Sequence, residues 1–384
     1  MMRLLLISDN FYPVIGGAET YAYNLAKGLA GRGCEVVVLT NRPSAGMPVS
    51  ERHAAGFTVL RDDTYWEQLP RKGAAWEKLA FGRLDFLDEQ LGSETFDVVH
   101  ANNHGTALIG AVYALSRAAP LVATFHEVGR ENTPLGMGRS RLVYRHLPLD
   151  YVVTVSRFYT DVAKRFGAAK VRYIPFGIDL NLFKHREDHR LWSRPAVIGC
   201  LARFKSRKGL LELVKAGSLL RDRFPGLRIR LAGTPSSGSA GYEQEMRDLI
   251  AREGLTGDVT LETGVTLEDV PRFLHEIDVL VQPSTQEGLG VVLLEAMASG
   301  VPIVANNCDG FREIATHNHN AYLTAGNDPA LLVEAVSSVI TDGELRARLA
   351  RNGLTFVQSR HALDDMIDQT IALYREVIQH AGKP

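Results

Sequence analysis

The sequence predicts an α/β protein made of two doubly wound, parallel-sheet domains of the Rossmann type. Its 384 residues suffice for two domains, since a typical domain has about 100–200 residues. Short apolar segments alternate with helical patterns through the first half, and this alternation starts again at Ala196. Apolar strands separated by helices are typical of βαβ units, whose parallel sheets are buried on both faces.

The first half begins with an apolar strand, a turn with two glycines and a helical pattern over Glu19–Ala30. A polar, charged segment, Gly177–Pro195, ends this half and is the predicted domain boundary. The strands predicted before it are Leu4–Ile7, Val36–Leu39, Val98–His100, Leu121–Phe125, Tyr151–Val155 and Val171–Ile174.

The second half repeats the pattern and then becomes helical from Asp328 onward. Its predicted strands are Ala196–Leu201, Arg228–Ala232, Val259–Glu262, Val279–Gln282 and Pro302–Ala305. Its predicted helices are Lys208–Phe224, Tyr242–Glu253, Leu267–Glu276 and Val291–Ala298.

Composition excludes several classes of protein. Hydrophobic residues make up 45% and charged residues 23%, which is ordinary for a soluble globular protein and excludes long disorder. The net charge of −1 lacks the basic excess of a duplex nucleic-acid binder. Three scattered cysteines form no CxxC pair, so neither a zinc site nor a disulfide framework is predicted. No apolar run is long enough for a transmembrane helix, and we expect a cytoplasmic protein.

Two segments leave a weak peripheral membrane contact open. Arg130–Arg172 carries nine basic and three acidic residues, which fits either a solvated face or a surface for anionic ligands or membranes. Trp66–Leu91 is amphipathic, and we favour a packed helix pair over a helix lying on a membrane.

The turn after the first strand contains Gly16 and Gly17, directly before the first helix. Glycines let a backbone approach a ligand closely, and free N–H groups at a helix N-terminus suit a phosphate. The turn is not GxGxxG and carries no phosphate-loop lysine, so a dinucleotide site is weakly supported. A purely geometric role for the two glycines is the alternative.

A basic loop follows the first strand of the second half. It contains four cations in six residues, among them Arg203 and Lys208. Arginine binds phosphate through two N–H groups and lysine adds a point charge. Because this loop lies at the carboxyl edge of a predicted parallel sheet, we favour a diphosphate site over a solvated loop.

Two glutamates, Glu287 and Glu295, are eight residues apart around the start of the helix Val291–Ala298. Eight residues of helix leave an angular offset of about 80°, which places both carboxylates on neighbouring faces two turns apart. Carboxylates accept hydrogen bonds from sugar hydroxyls, and the backbone of Gly288, Leu289 and Gly290 offers N–H groups. Glu295 lies in a nearly all-apolar helix, where a buried acid needs a partner.

These segments together resemble retaining glycosyltransferases of the GT-B fold, family 4 type. The resemblance covers essentially the whole chain and is specific because the motifs occur in order. They are GGAE at 16–19, ATFH at 123–126, VSRF at 155–158, PFGID at 175–179, LARFKSRKG at 201–209, and Glu-x7-Glu at 287–295 followed by ASGVPIVA at 298–305.

The resemblance implies two Rossmann-like domains that face each other across a cleft. Residues 1–180 would bind the acceptor, and a C-terminal helix at about 365–384 would pack back on them. Residues 181–364 would bind a nucleotide-sugar donor.

The resemblance also implies a role for each site residue. Arg203 and Lys208 would hold the diphosphate and stabilise the leaving group, and the Gly16–Gly17 backbone would close over it. Glu295 would bind the ribose hydroxyls, and Val265 would lie near the base. Glu287 and the amides of Gly288, Leu289 and Gly290 would hold the sugar, beside His126. The catalytic set is therefore His126, Arg203, Lys208 and Glu287.

The implied reaction moves a hexose or N-acetylhexosamine, most simply from a UDP-sugar, with retention at the anomeric carbon. Same-face attack is favoured over a double displacement through Glu287. The sequence has no Asp-x-Asp, and Arg203 and Lys208 supply positive charge, so no metal and no further cofactor are expected.

Two positions depart from the family pattern: Phe176 replaces a common Asn, and His100-Ala101-Asn102 replaces a common His-x-His. Asn102, Asn103, His104 and Arg130 are the candidate acceptor contacts. The acceptor itself is open between a glycan, a lipid-linked sugar and a small aglycone. A nucleotide-sugar 2-epimerase of the same fold and a non-catalytic sugar-nucleotide-binding protein are the alternatives.

Overall fold

The computed structural model describes residues 1–14, 16–62, 76–126, 134–184, 195–234 and 241–381. Side chains of residues 76–81 and 134–136 are outside this description. The chain divides into two compact units. Unit 1 consists of Met1–Gly177 and Leu363–Pro384, and unit 2 consists of Ile178–Ala362.

Unit 1 contains an eight-stranded sheet with the order β3-β4-β2-β1-β5-β6-β7-β8. Only β3 runs antiparallel, pairing with β4. The chain adds strands on one side of β1 and then continues with β5 on the other side, which creates a switch point between β1 and β5. The strands are β1 Arg3–Ile7, β2 Glu35–Asn41, β3 Ser50–Arg52, β4 Thr58–Asp62, β5 Val98–Ala101, β6 Leu121–Phe125, β7 Tyr151–Thr154 and β8 Val171–Tyr173.

Helices of unit 1 connect these parallel strands. The start of the helix His104–Arg117 shows the local chemistry: the Asn103 side chain accepts a hydrogen bond from Thr106 N, and the Thr106 hydroxyl accepts one from Asn103 N, a reciprocal capping box. The helices are α1 Gly17–Gly31, α2 Trp76–Leu91, α3 His104–Arg117, α4 Pro134–Arg141 with a π-helical turn Leu142–His146, and α5 Arg157–Arg165. In α2, Leu87 and Leu91 are buried in the core of unit 1.

Unit 2 contains a six-stranded parallel sheet with the order β11-β10-β9-β12-β13-β14. Its switch point lies between β9 and β12, which pair directly. The strands are β9 Val197–Leu201, β10 Arg228–Gly233, β11 Val259–Thr263, β12 Val279–Gln282, β13 Ile303–Asn306 and β14 Tyr322–Thr324. The helices are a 3₁₀ turn at Ser206–Lys208, α6 Leu210–Arg223, α7 Tyr242–Arg252, α8 Asp269–Glu276, α9 Val291–Ala298, α10 Asp309–Arg312, α11 Pro329–Thr341 and α12 Gly343–Arg360.

The last helix, α13 Leu363–Ala381, returns to unit 1 and packs against α1. Gly28 permits this close packing, because a Cβ atom there would lie 2.4 Å from Cγ1 of Ile367. At the surface, Arg32 on the end of α1 is within 2.9 Å of Asp364 and 3.1 Å of Asp368. In the interior, the hydroxyl of Tyr374 bonds to Nδ1 of His100 on β5.

The predicted fold class is confirmed: each unit is a doubly wound, mostly parallel α/β layer structure. Three short strands, β3, β4 and β14, were not predicted. Among the helices of the described ranges, none is both long enough and apolar enough to cross a bilayer.

Candidate functional site

The switch point of unit 2 brings two loops together at the carboxyl edge of the sheet. One loop follows β9 and carries Arg203 and Lys208, and the other follows β12 and carries Glu287. Since β9 and β12 are neighbours, their loops leave the sheet side by side. Open α/β sheets bind ligands at this place, so the two predicted motifs meet where a ligand is expected.

Hydrogen bonds hold the two loops against each other. The amide of Thr285 donates to the carbonyl of Arg207 at 2.9 Å, and Nη1 of Arg207 donates to the carbonyl of Gln286 at 2.9 Å. Gly209 makes the approach possible, since its φ is +69° and a Cβ atom would lie 2.4 Å from the carbonyl oxygen of Pro283. Both requirements favour glycine at position 209.

Lys208 and Glu287 form an ion pair in which Nζ lies 2.6 Å from Oε1. The two side chains are only 14% and 11% exposed, so this pair is largely shielded from water. The lysine charge thus has a counter-ion within the chain. An incoming phosphate would have to compete with that carboxylate or displace it.

Glu287 is not part of a helix, and its predicted helical offset from Glu295 is wrong. Helix α9 begins at Val291, after Gly290 with φ +91°. Glu287 therefore lies in the loop before the helix, and an angular count along helical turns does not apply to it. Leu289 is 6% exposed and packs inward, so only its backbone is available to a ligand.

Glu295 lies on α9 with 5% of its surface exposed. Among the described residues its carboxyl group has no hydrogen-bond or ion-pair partner. Burial raises the pKa of Glu295 to about 7. An acid in this state is ready to accept hydrogen bonds that a ligand hydroxyl can donate.

Val265 completes the predicted donor set on unit 2. It follows β11 at the same carboxyl edge and is half-buried. The amide of the preceding Gly264 donates to the carbonyl of Gly233 at 3.1 Å, which ties this loop to the end of β10.

The glycine turn of unit 1 lies at the second switch point. Helix α1 begins at Gly17, and its N-cap Gly16 is extended, with φ 167° and no side chain to cap the helix. The first N–H groups of α1 thus lack a side-chain cap, as an anion-binding helix start requires.

His126 directly follows β6 at this edge of unit 1. Its Nε2 is 2.8 Å from Oδ1 of Asn102, and its carbonyl accepts a hydrogen bond from the Tyr159 hydroxyl at 2.7 Å. Its ring lies 4.6 Å from the ring of Tyr21. Burial, with a smaller effect of His100, lowers the pKa of His126 to about 3, so the imidazole is neutral at physiological pH.

Three of the four candidate acceptor residues have partners within unit 1. Asn102 is 1% exposed and bonds to the Ala18 carbonyl, and Asn103 caps α3 and donates to Oδ2 of Asp9 at 2.7 Å. His104 is 7% exposed and packs against Phe125 with ring centroids 4.3 Å apart. Arg130 lies outside the described residues. A contact of any of them with an acceptor stays a prediction.

A buried ionic cluster at the same edge was not predicted. Arg83, 1% exposed, lies 3.2 Å from Asp62 and 3.3 Å from Asp9, and it also bonds to Asn41. Asp9, Asn41 and Asp62 each stand at the carboxyl end of a strand. The position of Asp9, two residues after the first apolar strand, was the one available signal. Across the described ranges, no group of three His, Cys, Asp or Glu side chains is arranged to hold a metal ion.

Two family models match successive parts of the chain. Residues 15–182 match the model described as Glycosyltransferase Family 4, and residues 183–356 match the model described as Glycosyl transferases group 1. The two matches divide the chain close to the junction between unit 1 and unit 2.

Curated relatives are similar over almost the full length. A D-inositol 3-phosphate glycosyltransferase of Acidothermus cellulolyticus is 26% identical and covers 94% of this chain and 86% of its own. A GDP-mannose-dependent alpha-(1-6)-phosphatidylinositol monomannoside mannosyltransferase of Mycobacterium tuberculosis is 27% identical. The match covers 95% of this chain and 96% of the relative. Among solved structures, sucrose-phosphate synthase from Thermosynechococcus elongatus superimposes with a TM-score of 0.85 at 20% identity, covering 99% of this chain and 100% of that one.

Proposed function

The chain belongs to the group 1 glycosyltransferases of the GT-B fold, which act on nucleotide sugars, and we propose that it transfers a hexose or N-acetylhexosamine to a hydroxyl acceptor with retention. The observation that carries this proposal is the ion pair of Lys208 and Glu287 at the switch point of unit 2. It joins the cation expected to hold a diphosphate to the acid expected to hold a sugar.

The diphosphate is the moiety with the strongest support. Lys208 offers an ammonium group with three donors, and Arg203 a planar fork that binds phosphate through two N–H groups. As the bond to the sugar breaks, negative charge develops on the leaving phosphate. Two cations at this place would stabilise that charge more in the departing group than in the intact donor, which lowers the barrier.

The carboxylates have separate roles in the proposal. Glu295 accepts hydrogen bonds from the two ribose hydroxyls, which supply the partners that the described residues do not provide. Glu287 and the backbone N–H groups of Gly288, Leu289 and Gly290 bind the transferred sugar. The base lies beside Val265 after β11.

On unit 1, the uncapped start of α1 at Gly16 and Gly17 binds the diphosphate, and His126 contacts the transferred sugar. The imidazole of His126 is neutral, which suits a hydrogen bond with a sugar hydroxyl better than an ion pair. These roles extend the family resemblance to the residues that occupy the matching motifs.

The proposed step is a same-face substitution. The bond between the anomeric carbon and the β-phosphate oxygen breaks, a bond to the acceptor oxygen forms on the same face, and the hydroxyl proton passes to the departing phosphate. A double displacement would use Glu287 as a nucleophile, yet its carboxylate is already paired with Lys208. That pairing favours a binding role for Glu287.

The identity of the donor nucleotide stays a prediction. UDP is the expected nucleotide, whereas the mannosyltransferase relative is named for GDP-mannose. The acceptors to be tested form a panel. From the names of the relatives, it includes a phosphorylated inositol and a phosphatidylinositol mannoside. We propose a hydroxyl of a glycan, a lipid-linked sugar or a small aglycone as the acceptor, and no metal or further cofactor.

The test is a thermal-shift and hydrolysis screen with UDP-glucose, UDP-N-acetylglucosamine, UDP-galactose, GDP-mannose and NAD. A ligand at 100 times its Kd stabilises a protein by about 2.7 kcal/mol, which the melting temperature reports. We expect one sugar nucleotide to raise it in the wild type and in Lys215→Ala, an exposed cation of α6. The shift should vanish in Lys208→Ala and in Glu295→Ala.

Three outcomes contradict the proposal. The proposed donor site is excluded if NAD alone raises the melting temperature, or if no sugar nucleotide raises it. Conversion of the donor to its 2-epimer without release of the nucleotide supports the epimerase alternative. Donor binding without transfer or hydrolysis across the acceptor panel supports a binding protein.

A further inference from the structure

The side-chain amide of Asn102 has a fixed orientation. Its Nδ2 lies 2.9 Å from the carbonyl of Ala18 and 3.2 Å from the hydroxyl of Ser8. The Ser8 hydroxyl donates its hydrogen to the carbonyl of Asn10 at 2.7 Å, so its oxygen accepts from Asn102. A flipped amide would place its oxygen against a carbonyl oxygen, which is repulsive.

The orientation of Asn102 determines the protonation of His126. With Nδ2 directed at Ala18 and Ser8, Oδ1 is the atom that faces Nε2 of His126 at 2.8 Å. A carbonyl oxygen only accepts, so Nε2 must carry a hydrogen and donate. In the neutral ring the hydrogen is then absent from Nδ1, which has no partner among the described residues.

We propose that Asn102 is a positioning residue, which holds His126 as the Nε2–H tautomer and thereby presents Nδ1 as a hydrogen-bond acceptor to a substrate hydroxyl. The inference rests on the proposed place of His126 in the transfer reaction. It gives Asn102 a different role from the acceptor contact that the sequence suggested. The backbone of Asn102 is itself anchored, since its amide donates to the carbonyl of Ile7 at 2.8 Å.

The surroundings of His126 keep it neutral. The titratable groups near it include His100 on β5, Tyr21 on α1 and Tyr159 on α5. Burial lowers the pKa of His100 to about 3 and raises that of Tyr21 to about 12, so both are uncharged around neutral pH. Asn102 thus sets the tautomer of a ring that carries no charge.

The direct test is nitrogen NMR of the full chain labelled with ¹⁵N-histidine. The chain has 12 histidines, and the spectrum of His126→Gln assigns the signals of His126 by their loss. The expected wild-type result is a neutral ring with hydrogen on Nε2 between pH 6 and pH 8. A hydrogen on Nδ1, or a protonated ring in that range, overturns the proposal. This measurement needs neither a substrate nor a variant of Asn102.

Two variants of Asn102 test the consequence for the reaction. In Asn102→Leu the ring loses its acceptor, and kcat/KM should fall by about tenfold to hundredfold, equally at every pH, as for other outer hydrogen-bond partners. In Asn102→Asp a carboxylate faces the ring and favours the imidazolium form. Activity should then fall as the pH decreases through the raised pKa of His126, because protonated Nδ1 no longer accepts.

The matched control is Asn320→Asp. Asn320 is also a buried asparagine, 2% exposed, whose side chain bonds to Thr316 and Ile314 in unit 2. Its replacement should reproduce a loss of stability without a new acid limb in the pH profile. An acid limb of equal size in this control, or none in Asn102→Asp, overturns the proposal.

His126→Gln separates this inference from the proposed function. If this variant keeps the wild-type kcat/KM, Nδ1 presents nothing to the substrate and the inference is overturned. A donor-dependent thermal shift in the same variant would leave the proposed glycosyl transfer standing. Loss of kcat/KM together with the Nε2–H tautomer in the wild type supports the inference.

Discussion

Nζ of Lys208 lies 2.6 Å from Oε1 of Glu287, so the principal candidate cation of unit 2 and the loop glutamate neutralise each other. Removing Glu287 leaves a poorly hydrated cation, which attracts a phosphate. Removing Lys208 leaves a poorly hydrated carboxylate, which repels one. The two removals should therefore have opposite effects on phosphate binding.

Glu287→Gln should release Lys208 for the diphosphate. We expect UDP or GDP to bind at least as tightly as to the wild type, whereas kcat falls by about 10²-fold or more because a sugar contact is lost. Lys208→Met should weaken nucleotide binding. Isothermal titration with the nucleoside diphosphate alone measures both, and equal weakening in the two variants would contradict the expected competition.

The buried acid Glu295 should make stability depend on pH. Its pKa is about 7 in the folded chain against an ordinary value of 4.5, so the protonated acid favours folding below pH 4.5 and this contribution is lost as the pH rises through 7. Glu295→Gln lacks this loss, and its stability relative to the wild type should improve by up to about 3 kcal/mol from pH 4.5 to pH 8.

Thermal unfolding of both proteins at pH 5 and pH 8 checks this expectation. Glu334→Gln, an exposed glutamate of α11, is the matched control and should show no such trend. A Glu295→Gln difference that is constant with pH would mean that Glu295 is ionised in the folded chain.

Tyr374 should contribute more to stability than Tyr151, although both bind the same helix to the sheet of unit 1. Tyr374→Phe leaves Nδ1 of buried His100 without its partner, which costs about 1–3 kcal/mol. Tyr151→Phe removes a peripheral bond of 2.5 Å to Glu376 and should cost less than about 1 kcal/mol. Urea denaturation of the two variants compares them, and a larger loss in Tyr151→Phe would refute the assignment.

Chelation should leave the reaction unchanged. Arg203 and Lys208 are expected to supply the positive charge that a divalent ion supplies in other transferases, so EDTA should not lower kcat. Activity is measured after dialysis against EDTA, with and without added Mg²⁺ or Mn²⁺. A loss that the added metal reverses would show that the two cations are insufficient.

Most parallel strands could be predicted from the sequence because they are apolar runs. Strands β3 and β4 could not, because they depend on tertiary contacts. Ser50–Arg52 is a short polar strand, and β4 ends in a buried arginine and a buried aspartate. Those charges are tolerated because Glu51 lies 2.7 Å from Arg61 and Arg83 lies 3.2 Å from Asp62. No local pattern in the sequence indicates that such partners exist.

The sequence allows candidate site residues to be selected, but it does not indicate which of them are in contact. Arg203, Lys208, Glu287 and Glu295 were each identifiable from residue type and position. The contact between Lys208 and Glu287 depends on the reversal of strand order that puts β9 beside β12, and no single segment encodes that reversal. The bond of Asn102 to His126 likewise joins two strand ends that are 24 residues apart.

The return of α13 to unit 1 has a consequence during translation. Unit 2, residues 178–362, must leave the ribosome before α13 can cover α1 and the interior face of His100. At a synthesis rate of about 5–20 residues per second, this takes roughly 10–40 s. Throughout that interval the face of α1 at Gly28, which Ile367 covers in the folded chain, lacks its packing partner.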